Sequence, residues 1–156
     1  MSAQIEVVSV INAATATVFD LELDVDVHTD SLAGTQETAT TTTGRRQLRL
    51  GDEVTFRARH FGWRWCMTSR ITAYNRPHQF VDEQARGPFR AMRHEHHFED
   101  LGGGRTRMTD RMMIRAPLGP SGAVVTRALL VPYLKRLLVK RAAHIKRLAE
   151  TAGRRH

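Results

Sequence analysis

Apolar and polar residues alternate through the middle of the chain, and the alternation predicts strands over 52–61, 63–74, 79–86, 89–99 and 105–115. Gly62, Asn75-Arg76-Pro77, Gly87-Pro88 and Gly102-Gly103-Gly104 break them. The glycine triplet is a hairpin turn rather than a phosphate loop, because no helix follows it and no Lys-Ser/Thr pair closes it. Gln4–Ile11 alternates as a further strand. Asn12 then offers a helix cap before Ala14–Leu23, whose Val18, Phe19 and Leu21 form an apolar stripe. Residues 24–47 are acidic, then threonine-rich, and predict a short second helix followed by a β-hairpin with the Thr38–Thr43 run as a strand. A calcium loop over Asp24, Asp26, His28 and Asp30 is excluded, since Thr29 and Thr35 stand where the loop needs Gly and Glu. After Pro117-Leu118-Gly119-Pro120 comes one long helix, Ser121–Thr151. Val124, Val131, Leu138 and Ile145 recur every seven residues there, with Ala128, Leu134 and Leu148 between them. Pro132 is expected to kink this helix or split off its first turns.

Successive side chains of a strand point to opposite faces, so each strand divides into two halves. The more apolar halves are Val54, Phe56, Ala58 and His60; Trp63, Trp65, Met67, Ser69, Ile71 and Ala73; Phe80, Asp82 and Gln84; Arg90, Met92, His94, His96 and Phe98; and Thr106, Met108, Asp110, Met112 and Ile114. The opposite halves are rich in arginine. The fold class this predicts is α+β: a curved antiparallel sheet of about six or seven strands, apolar on one face, wrapped around a long C-terminal helix. A space lined by Met, Phe and Trp suits a hydrophobic ligand, although a filled core has the same lining.

Composition narrows the classes. The 156 residues hold one cysteine, Cys66, so no intrachain disulfide and no cysteine-based zinc site can form. Cys66 is expected to pack. No apolar run is long enough to span a membrane, and Met1–Ile11 lacks the pattern of a secretory signal, which together predict a cytoplasmic protein. A single domain over 1–152 is expected, with 153–156 a basic tail. Residues 1–120 balance 15 basic against 15 acidic side chains, whereas 121–156 hold nine basic residues against Glu150 alone. That segment invites nucleic acid or an anionic membrane, or is simply a solvated helix face. The expectation is no specific nucleic-acid partner and no stable membrane insertion, with the chain a monomer or homodimer. The acidic cluster Asp20, Glu22, Asp24, Asp26 and Asp30 offers a partner within the chain or across a dimer. Arg141, close to the apolar stripe, is expected to pair with an inner carboxylate or the acidic first helix.

The order of elements resembles the START-like helix-grip superfamily, also called SRPBCC. The residues that carry the likeness are Gly51–Gly62, Pro77 with Phe80-Val81-Asp82, Gly87-Pro88-Phe89, His94-x-His96-x-Phe98, Thr106-x-Met108-x-Asp110 and Ala116-Pro117-Leu118-Gly119. The likeness runs from about residue 4 to 150 and suggests a bacterial branch that includes polyketide cyclases/dehydrases and lipid-transfer domains. It implies binding of a lipid- or polyketide-like molecule between sheet and C-terminal helix, and it allows cyclase or dehydratase chemistry.

His60, His94, His96, Asp82 and Asp110, with Ser69, point at the apolar interior, where an unpaired polar group destabilises the fold. Three readings compete. The His and Asp side chains could orient a ligand's polar end and move a proton. His94-x-His96, completed by His60 and Asp110, could bind a metal. Or the group is a structural hydrogen-bond network. No cofactor or metal is expected. The catalytic candidates are His94, His96, Asp110 and His60. The expected ligand contacts are Phe56, Trp65, Met67, Asp82, Arg90, Met92, Phe98, Met108, Met112, Leu134 and Leu138, with Arg90 at the mouth facing a ligand anion or solvent. No nucleophile elbow, zinc-protease motif or dinucleotide fingerprint occurs.

Overall fold

In the computed structural model, described for residues 2–117 and 119–155, seven strands form one antiparallel sheet. Met1, Leu118 in the Pro117–Pro120 break, and His156 of the basic tail lie outside the described residues. The strands are β1 (Ser2–Ile11), β2 (Thr38–Thr41), β3 (Glu53–His60), β4 (Trp63–Asn75), β5 (Gln79–Arg86), β6 (Ala91–Gly102) and β7 (Arg105–Arg115), in the spatial order β1-β7-β6-β5-β4-β3-β2. Between β1 and β2 run α1 (Thr15–Glu22) and α2 (Val25–Ser31). After β7 come α3 (Gly119–Val125), a π-helical turn over Thr126–Leu130, and α4 (Val131–Gly153). No helix among the described residues is long and apolar enough to cross a membrane.

The core lies between the concave sheet face and α4, as the alternation predicts. Leu138, Ala142, Ile145 and Ala149 return every three or four residues and are all buried. Val124 and Leu148, read as part of the same stripe, are exposed. Val124 lies in α3, beyond the π-helical turn, and Leu148, three residues after Ile145, falls at the edge of the buried face of α4. Phe19 of α1 fills the other half of the core, its ring 5.3–5.5 Å from those of Tyr74, Phe80 and Phe98 in edge-on contacts. A buried side chain such as Phe19 or Ile145 contributes about 2 kcal/mol.

Local chemistry departs from expectation at several points. Asn12 does not cap α1; its N–H instead donates to Glu150 at 3.0 Å, and Ala14 precedes the helix with no side-chain cap. Asp24 does cap α2, accepting from the N–H groups of Asp26 and Val27. The threonine run forms β2, which pairs with β3 across residues 42–52. A register shift between Ile71 and Ala73 turns β4 over. Tyr74, not Ala73, therefore meets Phe19. Trp63 shares its strand face with Trp65 but lies beyond the helical cover and is exposed; Cys66 is exposed as well rather than packed. Pro132 stands in the first turn of α4 and has no N–H to offer the preceding turn, which is the π-helical one.

On the outer sheet face the arginines find carboxylates: Arg111 with Glu6, Arg93 with Glu95 and Glu83, and Arg107 with Glu99. Pairs this exposed each contribute little. Three of the five residues of the acidic cluster pair within the chain, Asp20 with Arg76, Asp26 with Arg46 and Glu22 with Arg141, and Asp24 caps α2.

Candidate functional site

Between the sheet and α4 lies a cavity of about 160 Å³. A void of similar size in another protein stays dry and takes up benzene. Its sheet wall carries Phe56, Trp65, Met67, Met92 and Met112, and its helix wall Leu134 and Leu138. All seven were expected there from alternation or helical spacing. Phe98 and Met108 point the same way but pack in the core beneath Phe19, without reaching the cavity. Arg90 is a correction: it is exposed and lines a shallow groove with Arg115, Gly119 and Ala123 instead. The strand ends before Arg90, so alternation no longer fixes its direction.

The polar end of the cavity comes from three neighbouring strands. Asp82 on β5, His94 on β6 and Met112 on β7 lie side by side in register, as do Phe80, His96 and Asp110 one step along. Asp82 and His94 line the cavity, while His96 and Asp110 stand behind them. His96 bridges two carboxylates. Its Nε2 donates to Asp82 Oδ1 at 3.0 Å, and its Nδ1 lies 2.8 Å from Asp110 Oδ1. Ser69 donates to the other Asp82 oxygen at 2.6 Å. The His94 ring lies 3.9 Å from that of His96, with Nε2 3.7 Å from Asp110 Oδ1 and no hydrogen-bond partner. Arg141, on the buried face of α4, donates to Glu22 Oε2 at 2.6 Å and to the Glu22 carbonyl at 3.0 Å, and Glu22 Oε2 is 3.7 Å from His96. Arg141 thus takes the acidic-helix partner its position calls for.

These contacts divide the ionisation states. Burial pulls His96 down, but the carboxylates of Asp110 and Asp82 outweigh it and hold the imidazole up at about 9. Burial and the adjacent His96 cation press His94 down to about 3. Burial pushes Asp82 and Asp110 up, and the hydrogen bonds and charges of the two histidines reverse this, leaving both below the usual carboxylate range. Glu22 is raised by burial, which Arg141 opposes but does not overcome. At neutral pH an imidazolium therefore sits between two carboxylates, and a neutral His94 faces the apolar space.

His60 lies apart from this group. It lines the cavity beside the β3–β4 turn, its Nδ1 2.7 Å from the Tyr133 hydroxyl. Nothing in the sequence pattern places Tyr133 at the cavity. His28 and Glu37 were missed as lining residues. His28 stacks on Phe56 at 4.4 Å, with Nε2 3.2 Å from Glu37 Oε1. The sequence signal for His28 is its place one helical turn after the buried Val25.

His94, His96 and Asp82, and separately Glu22, His96 and Asp110, come close enough for a cation. The carboxylates already have cations of the chain beside them. His96 spans Asp82 and Asp110, and Arg141 occupies Glu22. A metal would have to displace protons from partners that hold them.

No protein-family model matches the chain, and no curated protein does. Solved structures do. The Zhui aromatase/cyclase from Streptomyces sp. R1128 superposes with a TM-score of 0.79 over 96% of this chain and 94% of that one, at 17% identity. The chain has the helix-grip fold. A norcoclaurine synthase point mutant from Thalictrum flavum superposes at 0.77, covering 98% and 97% of the two chains at 12% identity. Ginseng major latex-like protein 151 from Panax ginseng does so at 0.66, covering 95% and 97% at 13% identity. Helix-grip architecture thus explains why the cavity lies where it does, between the curved sheet and the last helix.

Proposed function

We propose that this helix-grip protein, one cytoplasmic domain over 1–152, binds a small hydrophobic molecule of lipid- or polyketide-like character in the cavity. The observation that carries this reading is an apolar cavity walled by three methionines and five aromatics, closed at one end by a buried group of paired acids and bases. Methionine adapts its shape, so such a wall accepts a ligand without fixing its outline. Larger ligands extend past His60 and Tyr133 towards solvent. His94 is the polar contact. Its neutral imidazole, backed by the His96 cation, lines the cavity, and Nε2, buried 3.7 Å from Asp110 without a hydrogen-bond partner, reaches a carbonyl or hydroxyl of the ligand by a turn of the ring.

The same atom favours a second reading, cyclase or dehydratase chemistry, in which His94 touches a ligand oxygen while His96 and Asp110 position it. The structural neighbours include both an aromatase/cyclase and a latex-like protein, so the fold accommodates either role. Binding is the stronger reading, because a general base works best with a pKa near the operating pH and His94 is held at about 3.

Native mass spectrometry of the protein before and after solvent extraction tests the proposal. A co-purifying apolar molecule, or restored binding of an apolar dye by the extracted protein, is the expected result. Extracted protein that binds no apolar dye overturns it. Substituting His94→Gln separates the two readings. Binding weakened about fivefold fits a lost polar contact, whereas intact binding with lost turnover of a polyketide substrate would favour catalysis.

A further inference from the structure

The β3–β4 turn, the β5–β6 turn, the end of β7 and α3 gather at one end of the sheet, the end to which the cavity reaches through Phe61 and Pro88. Large apolar side chains stand in solvent there. Trp63 is 75% exposed, Phe61 56%, Val124 68% and Leu129 63%. Phe61 is the least expected of these. It occupies the first position of a two-residue turn with φ 54°, followed by Gly62 at 77°, where a type I′ hairpin ordinarily takes Asn or Gly. The ring rests 4.5 Å from that of Tyr133, so one side of it meets the helix and the other meets water.

The exposed charges at this end are of one sign; the side chain of Glu37 is buried against His28. Arg59, Arg64, Arg90, Arg115 and Arg127 are exposed, and none has a carboxylate partner among the described residues, in contrast to the paired arginines farther along the outer face. The reason lies in the sequence. No Asp or Glu occurs in 54–81, 84–94 or 111–149, the three spans that build this end.

We infer that this end is a docking surface for a bilayer carrying anionic phospholipid headgroups, with Phe61, Trp63 and Leu129 entering the interface and the unpaired arginines meeting phosphates. An aromatic and aliphatic rim continuous with an apolar cavity suits the headgroup–acyl boundary, where tryptophan is favoured and arginine stems lie along apolar surface. A nucleic acid would use the arginines and the rings but leave Val124 and Leu129 in water. As to role, the inference rests on the ligand-binding reading: a cavity opening at such a rim exchanges an apolar molecule without exposing it to water.

Flotation with vesicles of phosphatidylcholine, with and without phosphatidylglycerol, tests the surface. Binding is expected to be at least roughly tenfold tighter to the anionic vesicles, since each arginine at such a surface strengthens binding about fivefold. Tryptophan fluorescence is expected to be quenched by acyl chains brominated near the headgroup. The double variant Trp63→Ser/Leu129→Ser, at exposed positions that leave the core intact, is expected to lose binding by about tenfold or more, whereas Arg154→Gln/Arg155→Gln at the far end of α4 is not. No binding to anionic vesicles at low salt overturns the inference. So does binding that survives the first double variant, because the contact would then lie on the basic helix. An apolar dye titrated in parallel separates the two proposals: dye uptake without vesicle binding sinks only the docking surface, and loss of dye uptake sinks the ligand reading.

Discussion

His96 is the residue on which the interior depends. An imidazolium held between Asp82 and Asp110 is stabilising only while all three partners remain, because removing one leaves buried charge uncompensated. Asp110→Ala is therefore expected to cost about 3 kcal/mol in urea unfolding, and His96→Gln, which leaves two buried carboxylates without the cation between them, at least as much. The two histidines give opposite pH dependences. His96 stands at about 9 against an ordinary 6.5, so its contribution is complete below 6.5 and is lost as pH rises through about 9. His94 stands at about 3 against 6.5, so its contribution is present above 6.5 and is lost as pH falls towards about 3. Asp82 and Asp110, both depressed, add a further loss in stronger acid. Unfolding free energy measured across pH should thus peak near 6.5, the starting value for both histidines. His96→Gln should flatten the alkaline limb and His94→Gln the upper part of the acid limb. A stability profile that rises from neutral pH to 9 would contradict the assignment.

At the scale of elements, alternation alone places His94, His96, Asp82 and Asp110 on the inner face, because β5, β6 and β7 are regular where these residues lie. It fails where the backbone departs from period two or loses its cover. The shift after Ile71 exchanges Ala73 for Tyr74, the turn after Arg86 frees Arg90, and Trp63 extends past the helix. Glu22, His28 and Glu37 come from a segment whose acidic residues and threonines carry no clear period, so only the fold shows which of them turn inward. The phase of α4 gives a direct check. Ile145→Ala is expected to destabilise by about 3 kcal/mol, whereas Leu148→Ala, half in solvent, should change stability by less than about 0.5 kcal/mol. Equal losses at both positions would mean that α4 is turned so that Leu148 also faces the sheet.

For the whole molecule, the architecture divides labour between a charge-paired outer face, an apolar wall and one polar end. A chain with no net charge before residue 121 and all of its positive balance after it keeps the sheet neutral and confines the excess to its last helices. Salt should accordingly affect surface binding strongly and cavity binding hardly at all, since a buried apolar contact is not screened. Dye affinity that fell tenfold between low and physiological salt would argue that the dye sits on the basic helix rather than within.

The claim on which all of this turns is that the cavity itself is the ligand site, and filling it is the most direct test. Ala58→Leu and Met112→Trp each add volume to the wall without adding charge, from two different strands. Titration of an environment-sensitive apolar dye should show saturable one-to-one binding to the unaltered protein. In both variants that binding should weaken by tenfold or more, while far-UV and near-UV circular dichroism stay unchanged. Dye binding undiminished in two folded, filled variants would contradict the account.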